Sequence, residues 1–503
     1  MRLLGPYLCF FSILNLTWIV PAAIRLIEYN RSNVREALAG IAASAFLFFI
    51  GEIFYRWRMK YYQIILLLLV PGSVFACLHA LSMGEVPHVL NTVSIFDTNL
   101  VEAKEFFSQY FSYSCLFWFI PLFLPIVWLF TPKACRLFNS RKASLWLLLV
   151  MLGVTISPLI IRYIRHHHKK NWWNVTIHNP YYRYLPIQFY ITLLEAHKTY
   201  LIPKEIVPNL NGLVKEKPSI LGQNLSVIVI GESITRQHMG LYGYSRKTTP
   251  RLYKLSPELI IFDKVWTTTS NTIYSVTQAL SVNINGKLVP IFSVLKQAGF
   301  ITEWISNQPR IGIWESRISV FVSGADKKIY LNQNHGGILA DDIPSYDEKV
   351  LNEVKKVIEY TNKPKVVFIH LMGAHTDYSK RFPKNYRIFK DIPRKDRNPK
   401  HLKIINDYDN AILYNDFVVS SIIDILKNSN VSSTLLYFSD HGDDVFESSD
   451  SYFGHSPQFL SSPMRQIPFI LWSSKGFSKS SINCDRVGRL AFRLDHLAEF
   501  LAV

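Results

Sequence analysis

Five apolar runs in the first third of the chain constrain its fold more than any other feature of the sequence. Each is close to the ~20 residues that a helix needs to cross a bilayer. The runs cover residues 7–24, 37–55, 61–83, 113–131 and 143–161. No small-residue cleavage site follows the first run, and four more runs come after it, which favours a retained helix over a removed signal peptide. The sequence therefore predicts a five-helix transmembrane domain over residues 1–163.

The loops between these runs differ in charge and indicate which way the chain crosses the membrane. The loop from 84 to 112 is acidic, with Glu85, Asp97, Glu102 and Glu105 against a single lysine. Two other loops are basic and carry Arg56, Arg58, Lys60, Lys133, Arg136, Arg141 and Lys142. Because basic loops stay in the cytoplasm, the N-terminus is predicted inside and everything after residue 162 outside. In a bacterium this is a multi-pass protein of the inner membrane with a periplasmic domain.

The net charge of +18 raises the question of a nucleic-acid partner. The lysines and arginines are scattered, and no nucleic-acid-binding motif accompanies them, which argues against such a partner. A basic domain beside an anionic lipid surface accounts for the charge more simply. Of the five cysteines only Cys484 lies beyond the predicted membrane part, so no disulfide can form within the exterior domain. An ordinary hydrophobic core must hold that domain together.

The acidic loop contains the run DTNLVEAKEFF over residues 97–107. Its polar side chains include Asn99 and Glu102, which are candidates to face an amine-bearing lipid headgroup. The alternative is a short capped helix with no ligand, and the residues alone leave both interpretations open.

Residues 164–218 form a separate stretch between the last apolar run and the exterior domain. It begins with the basic run RHHHKK at 165–170, which is typical of a linker in contact with lipid headgroups. Tryptophans and tyrosines crowd residues 172–190, and their amphipathic spacing predicts a helix lying in the membrane interface. A segment rich in proline, asparagine and lysine follows at 203–218. The sequence predicts an interfacial helix and linker here, and a catalytic α/β domain over residues 219–503.

Short apolar runs alternate with helical periods beyond residue 219. The predicted strands cover residues 226–230, 259–266, 300–306, 366–371, 434–438 and 467–472, and the longest predicted helix covers 404–427. This alternation favours a doubly wound α/β sheet.

Three of the predicted strands end in side chains that can bind a metal. Glu232 follows the first, His375 follows the fourth, and Asp440 and His441 follow the fifth. The carboxyl ends of parallel strands meet at one edge of the sheet, where ligands bind in open α/β folds. Carboxylate oxygens and imidazole nitrogens suit Zn²⁺. Taken singly, Glu232 has a second interpretation as a helix N-cap, and Gly442 is predicted to allow a tight turn after His441.

Several motifs in the same order resemble those of the membrane-anchored phosphoethanolamine transferases in the alkaline phosphatase and sulfatase superfamily. They are GESITRQHMGLYGYSRKTTP from residue 231, NDYDNAILYNDF from residue 406, and SDHGDDVFE from residue 439, followed by Gly454-His455. The resemblance extends over the predicted anchor, and YGYSRKTTP is most similar to the branch that modifies the lipopolysaccharide core. It implies an α/β sulfatase/alkaline-phosphatase-like soluble domain in a zinc-dependent phosphotransferase. The implied reaction moves phosphoethanolamine from phosphatidylethanolamine to lipopolysaccharide, with a core sugar favoured over lipid A as the acceptor.

The resemblance also implies roles for individual residues. Glu232, Asp440 and His441 match the zinc ligands of the family, and Thr272 matches the threonine that serves as nucleophile and fourth ligand. Thr277 and Ser270 are the alternatives for that threonine. His375 and His455 match histidines beside the transferred phosphate, and the intermediate is a covalent phospho-threonine. Zinc binding lowers the pKa of an alcohol, which makes the hydroxyl a competent nucleophile near neutral pH.

Two other functions remain open at the level of sequence. A glycerol-phosphate transferase of the lipoteichoic acid synthase kind shares the anchor and the metal-bound threonine. A catalytically inactive envelope scaffold keeps the sheet for stability alone, although it has no reason to retain Glu232, Thr272, Asp440 and His441 together.

Overall fold

The structure is a computed structural model of the 503-residue chain. It describes residues 13–14, 19–29, 41, 44–45, 47, 50, 62–83, 103–105, 117–120, 146, 149, 189–194, 224–284, 287–308, 318, 321–332, 344–359, 363–390, 398–450, 452–456, 460–474 and 491–502. The chain divides into two compact units. One comprises residues 1–95 and 107–201, and the other comprises residues 96–106 and 202–503.

The first unit contains the helices α1, Val20–Tyr29, and α2, Tyr62–Met83, and residues 189–194 are also helical. Val20 and Ile24 of α1 pack against Cys77 and Ala80 of α2. The helix α2 coincides with the third predicted apolar run. Within the part of the chain that the structure describes, no helix is long and apolar enough to cross a membrane.

Most of the other predicted spans lie outside the described residues, so the number of five helices stays a prediction. Asn99 and Glu102 also lie outside them, as do the run at 165–170 and the linker at 203–218.

The second unit is built on thirteen strands among its described residues. They are β1 Leu225–Gly231, β2 Leu259–Ile261, β3 Lys264–Trp266, β4 Ser281–Ile284, β5 Lys287–Pro290, β6 Ile301–Ser306, β7 Lys327–Tyr330, β8 Lys365–His370, β9 Ser433–Ser439, β10 Asp444–Val445, β11 Phe453–Gly454, β12 Phe469–Ser473 and β13 Ala491–Arg493. Seven of them form the main sheet in the order β2-β12-β9-β1-β8-β6-β7. Pairs β10-β11, β13-β3 and β4-β5 form three small sheets.

Helices cover both faces of the main sheet. The described α-helices of this unit are α3 Pro250–Leu255, α4 Thr272–Ala279, α5 Ile291–Gln297, α6 Lys349–Glu359, α7 Pro399–Lys427, α8 Ser462–Arg465 and α9 Leu497–Ala502. Alternate residues of the buried strand β1 enter two different cores: Val227 and Val229 pack with α6 and α7, whereas Ile228 and Ile230 pack with α4, α5 and α9. Since successive side chains of a strand point to opposite faces, this apolar run is buried on both sides. The predicted doubly wound α/β fold is therefore confirmed.

Two predicted elements differ from the observed ones for identifiable reasons. The predicted strand 259–266 is two strands, because β2 pairs with β12 in the main sheet while β3 pairs with β13 in a small one. The long helix begins at Pro399 rather than at residue 404. Proline suits the first helical position, and the Asn398 side chain accepts a hydrogen bond from the Lys400 amide at 2.9 Å.

The strand β1 lies between β8 and β9, and both pairings are parallel. Ile230 is in register with His370 of β8 and with Phe438 of β9. The three strands thus end together, as predicted, and the polar residues that follow them share one edge of the sheet.

Candidate metal centre and active site

The chain turns sharply where β1 ends, and this turn presents Glu232 to the edge of the sheet. Ser233 has a positive φ of 60°, and its amide donates to Asp440 Oδ1 at 3.2 Å. Glu232 is buried and does not cap a helix. The short helix that follows is capped by Thr235, whose hydroxyl accepts from the Gln237 amide. The N-cap interpretation of Glu232 is therefore wrong, and its role as a metal ligand stays a prediction.

The end of β9 presents Asp440 and His441 to the same point. Asp440 Oδ1 accepts from the His441 amide at 2.7 Å, whereas Oδ2 is buried and has no hydrogen-bond partner among the described residues. His441 Nδ1 donates to the Gly442 carbonyl at 3.1 Å. In the neutral ring, the form that binds a metal, Nε2 carries the lone pair; it lies 3.3 Å from Glu232 Oε1 and 3.5 Å from Asp440 Oδ2.

Gly442 has a different role from the predicted one. Its φ does not lie in the left-handed region, so the turn itself does not require glycine. A Cβ at this position would come within 2.3 Å of the Pro463 carbonyl oxygen and 2.8 Å of Thr235 Cβ. Close approach of two neighbouring segments therefore explains the glycine.

Thr272 is the first residue of α4, and the Asn271 side chain caps that helix by accepting from the Tyr274 amide. Its hydroxyl lies 3.1 Å and 3.3 Å from the two Glu232 oxygens and 3.3 Å from His441 Nε2. The alternatives make no such contacts: the Thr277 hydroxyl donates to the Ile273 carbonyl within the helix, and Ser270 Oγ is buried with no hydrogen-bond partner in the described part of the chain. Of the three candidates, Thr272 is the one in contact with the carboxylate and imidazole groups.

Two predicted histidines border this cluster. The ring of His455 lies 4.2 Å from that of His441, centroid to centroid, and its Nδ1 lies 2.7 Å from Asp443 Oδ1. Asp443 is buried and also accepts from the Tyr378 hydroxyl at 2.7 Å. His375 follows β8, and its Nδ1 lies 2.9 Å from the Thr376 carbonyl oxygen. Both histidines therefore have Nδ1 engaged.

The cluster is electrostatically suited to a cation. Burial and the negative charge of Glu232 raise the pKa of Asp440 to about 8. Burial alone lowers the pKa of His441, but the nearby Asp440 and Glu232 outweigh it and raise this pKa to about 10. Ligand atoms of Glu232, Asp440 and His441 lie within 4.8 Å of one another. Two carboxylates, one imidazole nitrogen and a nearby hydroxyl are a donor set that Zn²⁺ accepts.

Comparison with known proteins identifies the family of this chain. The family model described as Sulfatase matches residues 224–496, more than half of the chain. The phosphoethanolamine transferase EptC of Escherichia coli (strain K12) is 30% identical over 409 residues, covering 76% of this chain and 68% of its own. This chain belongs to the phosphoethanolamine transferases of the sulfatase family.

Two solved structures extend the comparison. The C-terminal periplasmic domain of EptC from Escherichia coli, in complex with Zn, has a TM-score of 0.51 and 33% identity over 57% of this chain and 83% of its own. The integral membrane protein lipooligosaccharide phosphoethanolamine transferase A (EptA) from Neisseria meningitidis covers 99% of this chain and 95% of its own, with a TM-score of 0.68. At 18% identity, the second match shows a shared fold. The predicted family and the predicted sulfatase-like domain are confirmed.

As a phosphoethanolamine transferase the chain is an enzyme, which argues against the interpretation as an inactive scaffold.

The site also includes two residues to which the sequence analysis assigned no role. His370 is the buried last residue of β8, and its Nε2 lies 4.0 Å from Glu232 Oε2. Burial lowers the pKa of His370 to about 4. Gln308 Nε2 lies 3.5 Å from the same Glu232 oxygen and donates to the Leu371 carbonyl at 2.9 Å. The signal for His370 was its position at the end of a strand that borders the site.

Proposed function

We propose that this enzyme transfers phosphoethanolamine from phosphatidylethanolamine to lipopolysaccharide, with a core sugar as the favoured acceptor. The Thr272 hydroxyl is the nucleophile in this proposal. The observation that carries it is the contact of Thr272 Oγ1 with Glu232 and His441, because it brings a side-chain alcohol into a buried set of metal-ligating groups. The 30% identity to the phosphoethanolamine transferase EptC of Escherichia coli supports phosphoethanolamine rather than glycerol phosphate as the transferred group.

Glu232, Asp440 and His441 would hold a Zn²⁺ ion, with Thr272 as the fourth ligand. The buried Asp440 Oδ2, which lacks a hydrogen-bond partner among the described residues, fits this assignment because an unpaired buried carboxylate is costly and a bound cation offsets that cost. The zinc complex of the periplasmic domain of EptC supports the choice of metal. When bound, the ion would lower the pKa of the Thr272 hydroxyl and withdraw charge from the phosphoryl oxygens.

The first half of the reaction moves the headgroup onto the enzyme. Thr272 Oγ1 loses its proton to solvent and attacks the phosphorus of the lipid, and the bond between phosphorus and the diacylglycerol oxygen breaks. A histidine beside the site must protonate that leaving oxygen. His455 is suited to this task because the buried carboxylate of Asp443 orients its ring through Nδ1 and leaves Nε2 for the substrate.

The second half of the reaction moves the headgroup from the enzyme to an acceptor. An acceptor hydroxyl attacks the phosphorus of the phospho-threonine, the bond between phosphorus and Thr272 Oγ1 breaks, and the proton of the acceptor passes to a histidine. His375, on the loop after β8, is proposed to bind the phosphoryl oxygens where negative charge accumulates. One covalent intermediate thus serves two successive transfers at the same site.

The proposal includes the predicted domain arrangement. Residues 1–163 anchor the enzyme in the inner membrane, residues 164–218 lie at the interface, and residues 219–503 act in the periplasm. Asn99 and Glu102 of the predicted acidic loop are proposed to contact the amine of the lipid headgroup. A donor lipid that stays in the membrane requires an enzyme held at the membrane surface, which is consistent with this plan.

Substitution of Thr272 tests the nucleophile. We expect Thr272→Ala to abolish headgroup transfer in the purified full-length protein while the bound zinc stays above half of the wild-type content. Intact-mass analysis after incubation with phosphatidylethanolamine alone should show an added phosphoethanolamine in the wild type and none in the variant. Thr277→Ala is the matched control, because the same change in the same helix removes hydroxyl bonds to the Ile273 and Tyr274 carbonyls within that helix and no contact with Glu232 or His441. Normal transfer by Thr272→Ala would remove Thr272 from its role.

Mass spectrometry of envelope glycolipids identifies the acceptor. Cells with and without the protein should differ by one phosphoethanolamine on the lipopolysaccharide core. An addition on lipid A instead would replace the core as acceptor, and an added glycerol phosphate would support the alternative transferase.

A further inference from the structure

The loop that carries His375 is held in place by a buried arginine. Arg381 Nε donates to the His375 carbonyl at 2.8 Å, and Nη2 donates to the Thr376 carbonyl at 2.7 Å. A guanidinium is planar and its donors are in fixed positions, so the two bonds determine where these two carbonyls lie. Arg381, six residues after His375 in the sequence, therefore fixes the position of the His375 backbone.

The guanidinium of Arg381 is in turn held by Glu105. Its Nη2 donates to Glu105 Oε2, and Lys380 Nζ lies 3.2 Å from Glu105 Oε1. Arg381 is 8% exposed and Glu105 is 5% exposed. Charge-assisted hydrogen bonds between buried groups are strong and directional, unlike the ion pairs of a protein surface.

Glu105 is distant in sequence from the sheet, yet it belongs to the same compact unit. Residues 96–106 are part of the unit that contains residues 202–503. The sequence places them in the acidic loop between the third and fourth apolar runs, where the prediction singled out Asn99 and Glu102 and gave Glu105 no role. Its carboxylate binds Arg381, which in turn binds the backbone of the loop that carries His375.

The other end of this loop has a separate support. The carboxylate of Asp347 accepts from the Met372 amide at 2.8 Å and from the Gly373 amide at 2.9 Å. Asp347 therefore fixes the start of the loop, while Arg381 fixes the segment from His375 onward. Only the second support depends on a residue from the N-terminal third of the chain.

We infer that Glu105 is a positioning residue for the transfer reaction, acting through Arg381 on His375. The inference rests on the proposed role of His375 at the transferred phosphate. Glu105 does not touch the phosphoryl group; it keeps the guanidinium aligned with the two carbonyls. A segment of the predicted membrane part thereby sets the geometry of the catalytic loop.

Glu105→Gln in the full-length protein tests this inference. We expect kcat for transfer to fall roughly tenfold to 100-fold, because small displacements of a catalytic group have effects of that size. Bound zinc should stay at the wild-type level. Glu258→Gln is the matched control, since it removes a carboxylate from the exposed pair with Lys427 and should leave kcat unchanged. Wild-type kcat in Glu105→Gln would overturn the inference.

A double variant separates positioning from a general loss of structure. If Glu105 acts through His375, Glu105→Gln should slow transfer no further in a His375→Ala background. Effects that multiply would show that Glu105 acts elsewhere and would overturn the inference. Should Glu105→Gln fold poorly, Arg381→Lys provides a second route: it keeps a positive charge beside Glu105 but loses the planar fork, so we expect a similar loss of kcat. Unchanged transfer in Arg381→Lys would also overturn the inference.

Hydrogen–deuterium exchange gives a readout that does not depend on transfer. Backbone amides of residues 375–381 should exchange faster in Glu105→Gln than in the wild type, and Glu258→Gln should not change them. If the wild type shows no transfer, the proposed function fails while this exchange measurement still decides the inference. Unchanged exchange in the loop would exclude the positioning role.

Discussion

In the second unit, His238 and His441 are both buried and each lies beside two carboxylates, but their ring nitrogens have different partners. In the first cluster, His238 Nδ1 lies 2.6 Å from Asp409 and Nε2 lies 2.5 Å from Glu447. Asp409 also accepts from Arg246 at 2.6 Å and from Tyr244 at 3.0 Å. Both ring nitrogens therefore have a carboxylate partner, and the cluster contains its own positive charges.

The second cluster leaves its ligand atoms facing one another. His441 Nε2, Glu232 Oε1 and Asp440 Oδ2 converge, and Asp440 Oδ2 lacks a hydrogen-bond donor among the described residues. A buried group in that state is costly unless a cation joins it. The comparison teaches that a histidine between two carboxylates is not evidence of a metal site by itself. The convergence of three ligand atoms, with Asp440 Oδ2 lacking a donor among the described residues, distinguishes the metal candidate from the structural ion cluster.

Among the variants that compare the two clusters, His441→Ala should have the largest effect. The change removes the one nitrogen ligand of the proposed zinc site, so bound zinc should be lost and transfer should fall on the order of 1,000-fold or more. Elemental analysis of the purified protein and a transfer assay measure the two effects. His238→Ala is the comparison variant and should keep its zinc as long as it is folded. Zinc retained by His441→Ala at the wild-type stoichiometry would contradict the assignment of the two clusters.

His238→Ala should have the larger effect on stability. It leaves Asp409 and Glu447 without the imidazolium between them, and breaking a buried ion pair in this way costs about 3–5 kcal/mol of unfolding free energy. Chemical denaturation of the full-length protein in detergent, followed by tryptophan fluorescence, measures the change. His496→Ala is a suitable control, because that histidine pairs with Glu499 at the surface and an exposed pair contributes little. Equal stability of the two variants would show that the His238 cluster is not a stabilising unit.

Part of the site could be predicted from the sequence because strand order and strand ends leave a clear signal. Glu232, Asp440 and His441 each follow an apolar run, and parallel neighbours bring such residues to one edge. The same logic points to His370, but a buried histidine that ends a strand has the same local pattern as a core residue. Periodicity alone did not assign it a role.

Other parts of the site depend on contacts that no local pattern encodes. Thr272, Thr277 and Ser270 are all small hydroxyl residues in one short segment, and only the resemblance to a family gave Thr272 priority. The structure separates them because α4 begins at Thr272 and directs its hydroxyl to Glu232. The pair Glu105–Arg381 spans 276 residues, and nothing near either residue signals the other. Long-range pairing of this kind requires the fold.

The smallest expected effect is a pH dependence of stability that substitution of His238 should remove. Burial alone lowers the pKa of His238, but hydrogen bonds to Asp409 and Glu447 outweigh burial and raise it to about 9. The ordinary value is 6.5, so the stabilisation by the charged imidazolium is complete below pH 6.5 and is lost as the pH rises through 9. The rise of this pKa from 6.5 to about 9 corresponds to about 3 kcal/mol of unfolding free energy. We expect the unfolding free energy of the wild type to approach that of His238→Gln between pH 6.5 and 9.5. A constant difference between the two proteins across this range would mean that His238 does not change its charge there, and that hydrogen bonding by a neutral ring holds the cluster together.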